Sequence, residues 1–161
     1  MFAGYIIDTN IHAAFLLQGY EADPLTKKYL AFYNILPLPQ RLVPDFIMSE
    51  FELFITQVAP VKYRMSGEQA VTFAKAVSVY LHDIATSFTL LTTPLEAYKS
   101  AFFLYGQNAE QQRHISFTDC LLLTLAKQQD YLLLTQDRRL QTIAKELRVG
   151  YFDPQFMPDL A

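Results

Sequence analysis

FTDCLLLTLAKQQDYLLLTQD, residues 117–137, holds the pattern that decides the fold. SFTDCLLLTLAKQQD (116–130) has helical spacing, and its polar residues Lys127, Gln128 and Gln129 gather at its end. YLLLT (131–135), short and apolar, reads as a strand, and RRLQTIAKEL (138–147) as a helix. Helix, buried strand and helix in succession predict a parallel sheet covered by helices. Two carboxylates bracket this greasy segment. Asp119 has Ile115, Ser116, Leu122, Leu123 and Ala126 as helical neighbours, which aims it inward; Asp137 follows the strand. An ionised carboxylate in such surroundings is costly unless something pairs with it.

The same alternation extends outward. GYIID (4–8) reads as a strand ending at Asp8, and TNIHAAFLLQ continues as a helix. PLTKKYLAFYNIL (24–36) is a helix with Leu25, Tyr29, Phe32 and Leu36 on one stripe, ended by the prolines of LPLPQ. RLV is a short strand or turn. PDFIMSEFELFITQV (44–58) is a helix that Pro44 starts and Pro60 stops. Residues 67–87 form a long amphipathic helix with Val71, Ala74, Val77, Leu81 and Ile84 inward. FTLLT (88–92) is a strand, PLEAYKSAFFLY (94–105) a helix closed by Gly106, residues 106–115 a polar loop, and VGYF (149–152) a last short strand. The expected fold is a single-domain three-layer α/β/α sandwich over residues 1–161, with a short, mainly parallel sheet. Ligands of such sheets bind beyond the carboxyl ends of the strands, where Asp8 and Asp137 lie.

Composition narrows the function. Hydrophobic residues make up 52% of the sequence and charged residues 18%. That is enough for a real core and too apolar for disorder. No apolar run reaches the roughly 18 residues that a membrane span needs. The opening MFAGYIIDTN carries no signal-peptide pattern. The single Cys120 excludes an internal disulfide and a multi-cysteine zinc site. A cytoplasmic protein is expected. The net charge of −3 argues against tight binding of nucleic acid through phosphates alone.

Four acids stand out. Besides Asp8, Asp119 and Asp137, Glu50 sits mid-helix among Phe46, Ile47, Leu53 and Phe54, whereas Glu52 has more mixed neighbours. Each has an ordinary explanation. Asp8 or Thr9 can cap the first helix, Asp119 can close a capping box with Ser116, Asp137 can cap the last helix, and Glu50 can join a buried ion pair. The joint pattern is less ordinary, because all four are expected to project toward one sheet edge. Two unit charges 4 Å apart cost about 4 kcal/mol at an effective dielectric near 20. Hard cations with oxygen ligands, Mg²⁺ or Mn²⁺, relieve such repulsion. Without the four acids the net charge would be +1.

D-T-N after the first strand (Asp8, Thr9, Asn10), a helical S-E (Ser49, Glu50), S-F-T-D (Ser116, Asp119) and T-Q-D-R-R-L (Thr135, Asp137, Leu140) together resemble the PIN-domain family. Order and spacing match over nearly the whole chain, from Asp8 through Glu50 and Asp119 to Asp137. The resemblance implies a Mg²⁺- or Mn²⁺-dependent endoribonuclease that leaves a 5′-phosphate and a 3′-hydroxyl. Asp8, Glu50, Asp119 and Asp137 would then be the metal-holding, catalytic quartet, and Asn10, Ser116 and Thr135 the residues orienting it. It also implies a VapC-type toxin with an inhibitory antitoxin and a homodimeric state. Some relatives carry a further Asp where this chain has Ser116, which leaves one ion or two open.

The other candidates are weaker. His12 is one helical turn from Asp8 and is read as a satisfied residue; His82 and His114 are isolated. Cys120 is read as a buried structural thiol. Arg138 and Arg139, with Lys145 and Arg148, form either an RNA-contacting basic rim or a solvated face. Tyr29, Phe32 and Tyr33 are candidates for an oligomer surface. Two rival functions remain: a phosphatase of the haloacid-dehalogenase type, disfavoured because Asn10 replaces the second Asp of D-x-D, and a non-catalytic PIN-like module binding RNA or protein.

Overall fold

The structure, a computed structural model, describes residues 2–17 and 24–156. Among them four strands, β1 (Tyr5–Ile7), β2 (Arg41–Pro44), β3 (Thr89–Leu91) and β4 (Leu132–Leu134), form one all-parallel sheet in the order β3-β2-β1-β4. The helices are α1 (Thr9–Leu16), α2 (Pro24–Ile35), α3 (Asp45–Leu53), α4 (Ala59–Lys62), α5 (Gly67–Ser87), α6 (Leu95–Glu110), α7 (Phe117–Gln129) and α8 (Arg138–Glu146). Gln18, the end of the first expected helix, lies outside the described residues. No helix among these residues is long and apolar enough to cross a membrane.

The strands are short because helix-start signals bound them, and their central residues are β-branched or leucine. Ile6, Ile7, Val43, Leu133 and Leu134 are fully buried, as expected of a sheet covered on both faces. Right-handed crossovers carry the chain from β1 to β2 to β3 and then back across the sheet to β4. Helices α1 to α5 therefore share one face, where α1 packs on α2, α3 and α5, and the packed pair α6–α7 covers the other. The direction of winding reverses between β1 and β4. In open parallel sheets such a reversal opens a crevice at the carboxyl ends of the two strands. The Asp8 amide donates to Leu134 O there (3.0 Å).

A polar thread runs through the α1–α5 side of the core. Arg41 is buried and donates to Leu36 O from Nε (3.1 Å) and Nη2 (3.0 Å), while its guanidinium lies 4.2 Å from the Tyr33 ring centre. Carbonyls and a ring face thus replace water around a buried cation. Nearby, the Tyr80 hydroxyl meets Tyr33 Oη (2.5 Å) and His12 Nδ1 (2.6 Å).

Several local expectations are corrected. Pro60 does not end its helix. A π-helical turn (Phe54–Val58) widens the backbone, and Pro60 falls in the first turn of α4, where no N–H is needed. Gly106 does not close α6. Its φ is not positive, and the helix runs on to Glu110 before Gln112 takes the left-handed conformation (φ 55°). The expected loop 106–115 is therefore partly helix. The inward face of α5 is Phe73, Val77, Tyr80 and Ile84, with Val71 (57% exposed) outside. Burying two aromatic rings outweighs burying Val71 and Ala74. On α2 the stripe shifts likewise: Leu25 is exposed, and Thr26, Tyr29, Leu30 and Tyr33 are buried. Tyr29 and Tyr33 are accordingly no oligomer surface. Phe32 stacks on Phe152 at 4.0 Å. VGYF contributes only a single bridge, Leu133 to Tyr151.

Candidate active site

Four helix N-termini converge on the C-terminal edge of the sheet. α1, α3 and α8 each start just after a strand, and α7 precedes β4 and so runs antiparallel to it, with its first turn at the same edge. Their partial positive charges favour carboxylates there. The cleft at this edge has a volume of about 520 Å³ and is lined by Asp8, Glu50, Asp119 and Asp137, with Asn10 and Ser116 among them. One flank is apolar, formed by Ala13, Leu17, Leu53, Phe54 and Val58.

Each acid is fixed through one oxygen. Asp8 Oδ2 accepts from Asn10 Nδ2 (2.6 Å) and from Thr135 Oγ1 (2.6 Å). Glu50 Oε2 accepts from Thr9 Oγ1 (2.5 Å). Asp119 Oδ2 accepts from the Ser116 amide (3.0 Å) while Ser116 Oγ accepts from the Asp119 amide, a complete capping box. Asp137 Oδ1 accepts from the amides of Arg139 (2.7 Å) and Leu140 (3.3 Å), capping α8. Among the described residues no donor reaches the second oxygen of any of the four. The capping explanation is thus true of Asp119 and Asp137 yet uses half of each carboxylate. It fails for Asp8, which occupies the N-cap position of α1 without capping it, and Glu50 has no ion-pair partner among the described residues.

The electrostatics follow from burial and mutual repulsion. Burial pushes the Asp8 carboxyl up to about 7; the charges of Asp119, Glu50 and Asp137 add to this and the Thr135 hydroxyl opposes it. Burial also raises Glu50, with Thr9 opposing and Asp119 adding, and raises Asp119, with Ser116 opposing and Asp137 adding. Cations relieve repulsion of this kind, and the donor set, carboxylate oxygens alone, suits Mg²⁺ or Mn²⁺. Among the described residues no three such side chains stand close enough to ligate one ion as they are placed, so the fit is one of donor chemistry.

Thr135 is the hub. Fully buried, it donates to Asp8 and accepts from Asn10 Nδ2 (3.1 Å) and from the Asp137 amide (3.0 Å). Thr9 is a hydrogen-bond partner of Glu50 that sequence reasoning misses; its position between Asp8 and Asn10 in D-T-N is the only signal. His12 does not line the cleft. It is buried in the polar thread, and burial, with the Arg41 charge, pushes its imidazole down to about 3. Cys120 is buried and its thiol is pushed up to about 11, chiefly by burial. Arg138 and Lys145 line a second cleft of about 460 Å³ that meets the first at Gln136. Arg139 is exposed and lines neither.

The PIN domain sequence profile matches residues 5–146. No curated protein matches the chain significantly. Among solved structures, the fold is similar to that of FitAcB from Neisseria gonorrhoeae (16% identity, 95% of this chain and 99% of that one, TM-score 0.62). It is also similar to VapC20 of Mycobacterium tuberculosis, described as a sarcin–ricin loop cleaving toxin (16%, 87% and 95%, TM-score 0.61). A third likeness is to VapBC2 from Rickettsia felis bound to a promoter DNA fragment (10%, 92% and 96%, TM-score 0.61).

Proposed function

This chain belongs to the PIN-domain family, and on that premise we propose that it is a Mg²⁺- or Mn²⁺-dependent endoribonuclease, the toxin of a toxin–antitoxin pair. The observation that carries this reading is the cleft itself: four carboxylates from four separate segments, each anchored through one oxygen. VapC20, of similar fold, is described as a sarcin–ricin loop cleaving toxin, and the similar fold of a toxin–antitoxin complex from Klebsiella pneumoniae supports an antitoxin as partner. A homodimer is part of the same proposal.

Asp8, Glu50, Asp119 and Asp137 would hold the cation. When bound, such an ion neutralises the charge that develops on a phosphodiester during in-line hydrolysis and promotes ionisation of water. The protein's own part is positioning. Asn10 and Thr135 hold Asp8, Thr9 holds Glu50, and Ser116 holds Asp119, so one oxygen of each carboxylate is tethered in the cleft before substrate arrives. Near neutral pH Asp8, raised to about 7, is only partly ionised in the free cleft, and a bound cation would favour its ionised form.

Replacing Asp8 or Asp119 with Asn is expected to abolish RNA cleavage measured with Mn²⁺, and EDTA to block the wild type. Unchanged turnover in either variant would reject the assignment. Wild-type protein that binds RNA but never cuts it would favour the non-catalytic module. A readout independent of activity is thermal: divalent ions should raise the melting temperature of the wild type, and much less that of Asp119→Asn. An equal rise in both would count against a shared site.

A further inference from the structure

We propose that the second cleft, across Gln136 from the acidic one, is the subsite that holds the RNA single strand beside the scissile phosphate. This rests on the ribonuclease reading of the acidic cleft. Gln136 lines both depressions, so a chain leaving one enters the other. Arg138 and Lys145, two helical turns apart on α8, share one helical face and both line the second cleft. Both are exposed, and neither is paired with a carboxylate among the described residues.

The rest of the lining is polar and aromatic. Gln141 Nε2 donates to Tyr29 Oη (2.5 Å) and to Thr135 O (2.8 Å), which ties the floor of this cleft to the hub of the acidic one. Tyr151 contributes a half-buried ring. Cations for phosphates, amides for base edges and a ring for stacking are the chemistry of single-stranded RNA recognition. Asp153 also lines the cleft, with Oδ1 accepting from the Gln155 amide, and its charge directs a phosphate toward the α8 wall. Lys145, Tyr151 and Asp153 go on to line a third depression with Arg148, which extends the cationic track. The charges are thus sorted: a strand is attracted by its flanking phosphates next to a cleft that, without cations, repels it.

The test is fluorescence anisotropy of a labelled, unstructured RNA of about 12 nucleotides, within the range of single-strand site sizes. Binding is read in EDTA across a KCl series, with the RNA checked as intact. For Arg138→Gln combined with Lys145→Gln, loss of two phosphate contacts predicts binding about 20-fold weaker near 0.1 M salt. The slope of log affinity against log salt should fall by about 1.4. Lys75→Gln, a matched charge loss on exposed α5, should leave the slope unchanged. Thermal melts of both variants establish that they fold. A wild-type slope in the double variant would overturn the subsite, as would a polyglutamate peptide of equal charge binding as tightly as the RNA. Normal RNA binding by the double variant, with cleavage lost in Asp8→Asn, removes the subsite and keeps the nuclease. Weakened binding by the double variant of a protein that never cuts keeps the subsite and removes the nuclease.

Discussion

Thr135 and Asp8, 127 positions apart, share a 2.6 Å hydrogen bond at the carboxyl ends of adjacent strands. The bond crosses the point where the sheet reverses its winding. It fixes one oxygen of the most deeply buried acid in the cleft, and it lowers a carboxyl that burial has raised. Replacing Thr135 with Val keeps the shape and removes the donor. The loss is expected to cost about 1–3 kcal/mol, as for a hydrogen bond to a charged group. Urea unfolding at pH 8 and at pH 5 checks it: the cost should be larger at pH 8, where Asp8 is ionised. An equal cost at both would mean that the hydroxyl serves Asn10 and the Asp137 amide rather than Asp8.

Stability in EDTA should depend on pH through Asp8. Its carboxyl rises from an ordinary 3.8 to about 7 on folding. A group raised in this way contributes stability that is complete below about 4 and lost as pH climbs through about 7. Asp8→Asn should therefore gain on the wild type between pH 4.5 and 8, by up to about 4 kcal/mol. His12, depressed to about 3, has the opposite sign: its contribution is complete above 6.5 and lost as pH falls toward 3. It cancels in the comparison because both proteins carry it. A stability difference independent of pH would show that the charge on Asp8 is already compensated.

Gly106 offers a stabilising change. It lies within α6, exposed, with φ in the ordinary range, and a Cβ there meets nothing within 4 Å. Gly106→Ala should add about 0.5–1 kcal/mol by restricting the unfolded chain. That corresponds to a rise of about 1–4 °C in Tm. An unchanged Tm would show that α6 frays at this point.

Gly106 also illustrates what sequence reading can and cannot reach. Glycine and proline are local punctuation, and at Gly106 and Pro60 the packing of α6 on α7 and the widened turn before α4 override it. The strands were legible because Ile6, Val43 and Leu133 leave no polar face for an alternative. The rotation of α5 was not, since it depends on Tyr80 finding the hydroxyl of Tyr33 and the ring of His12. The convergence of the four acids on one edge could be anticipated because parallel strands send their carboxyl ends to the same side. The clasp of Thr9 on Glu50 could not, because it joins two helices whose relative placement no local pattern encodes.

The order β3-β2-β1-β4 also governs when the protein can act. β1 leaves the ribosome well before its neighbour β4, so this strand waits half-paired until β4 emerges. The carboxylate at Asp8 gains its hydroxyl clamp only once Thr135 has cleared the exit tunnel. A nascent chain that has not yet reached Thr135 is therefore without the assembled cleft, and whatever chemistry that cleft performs waits on the emergence of β4.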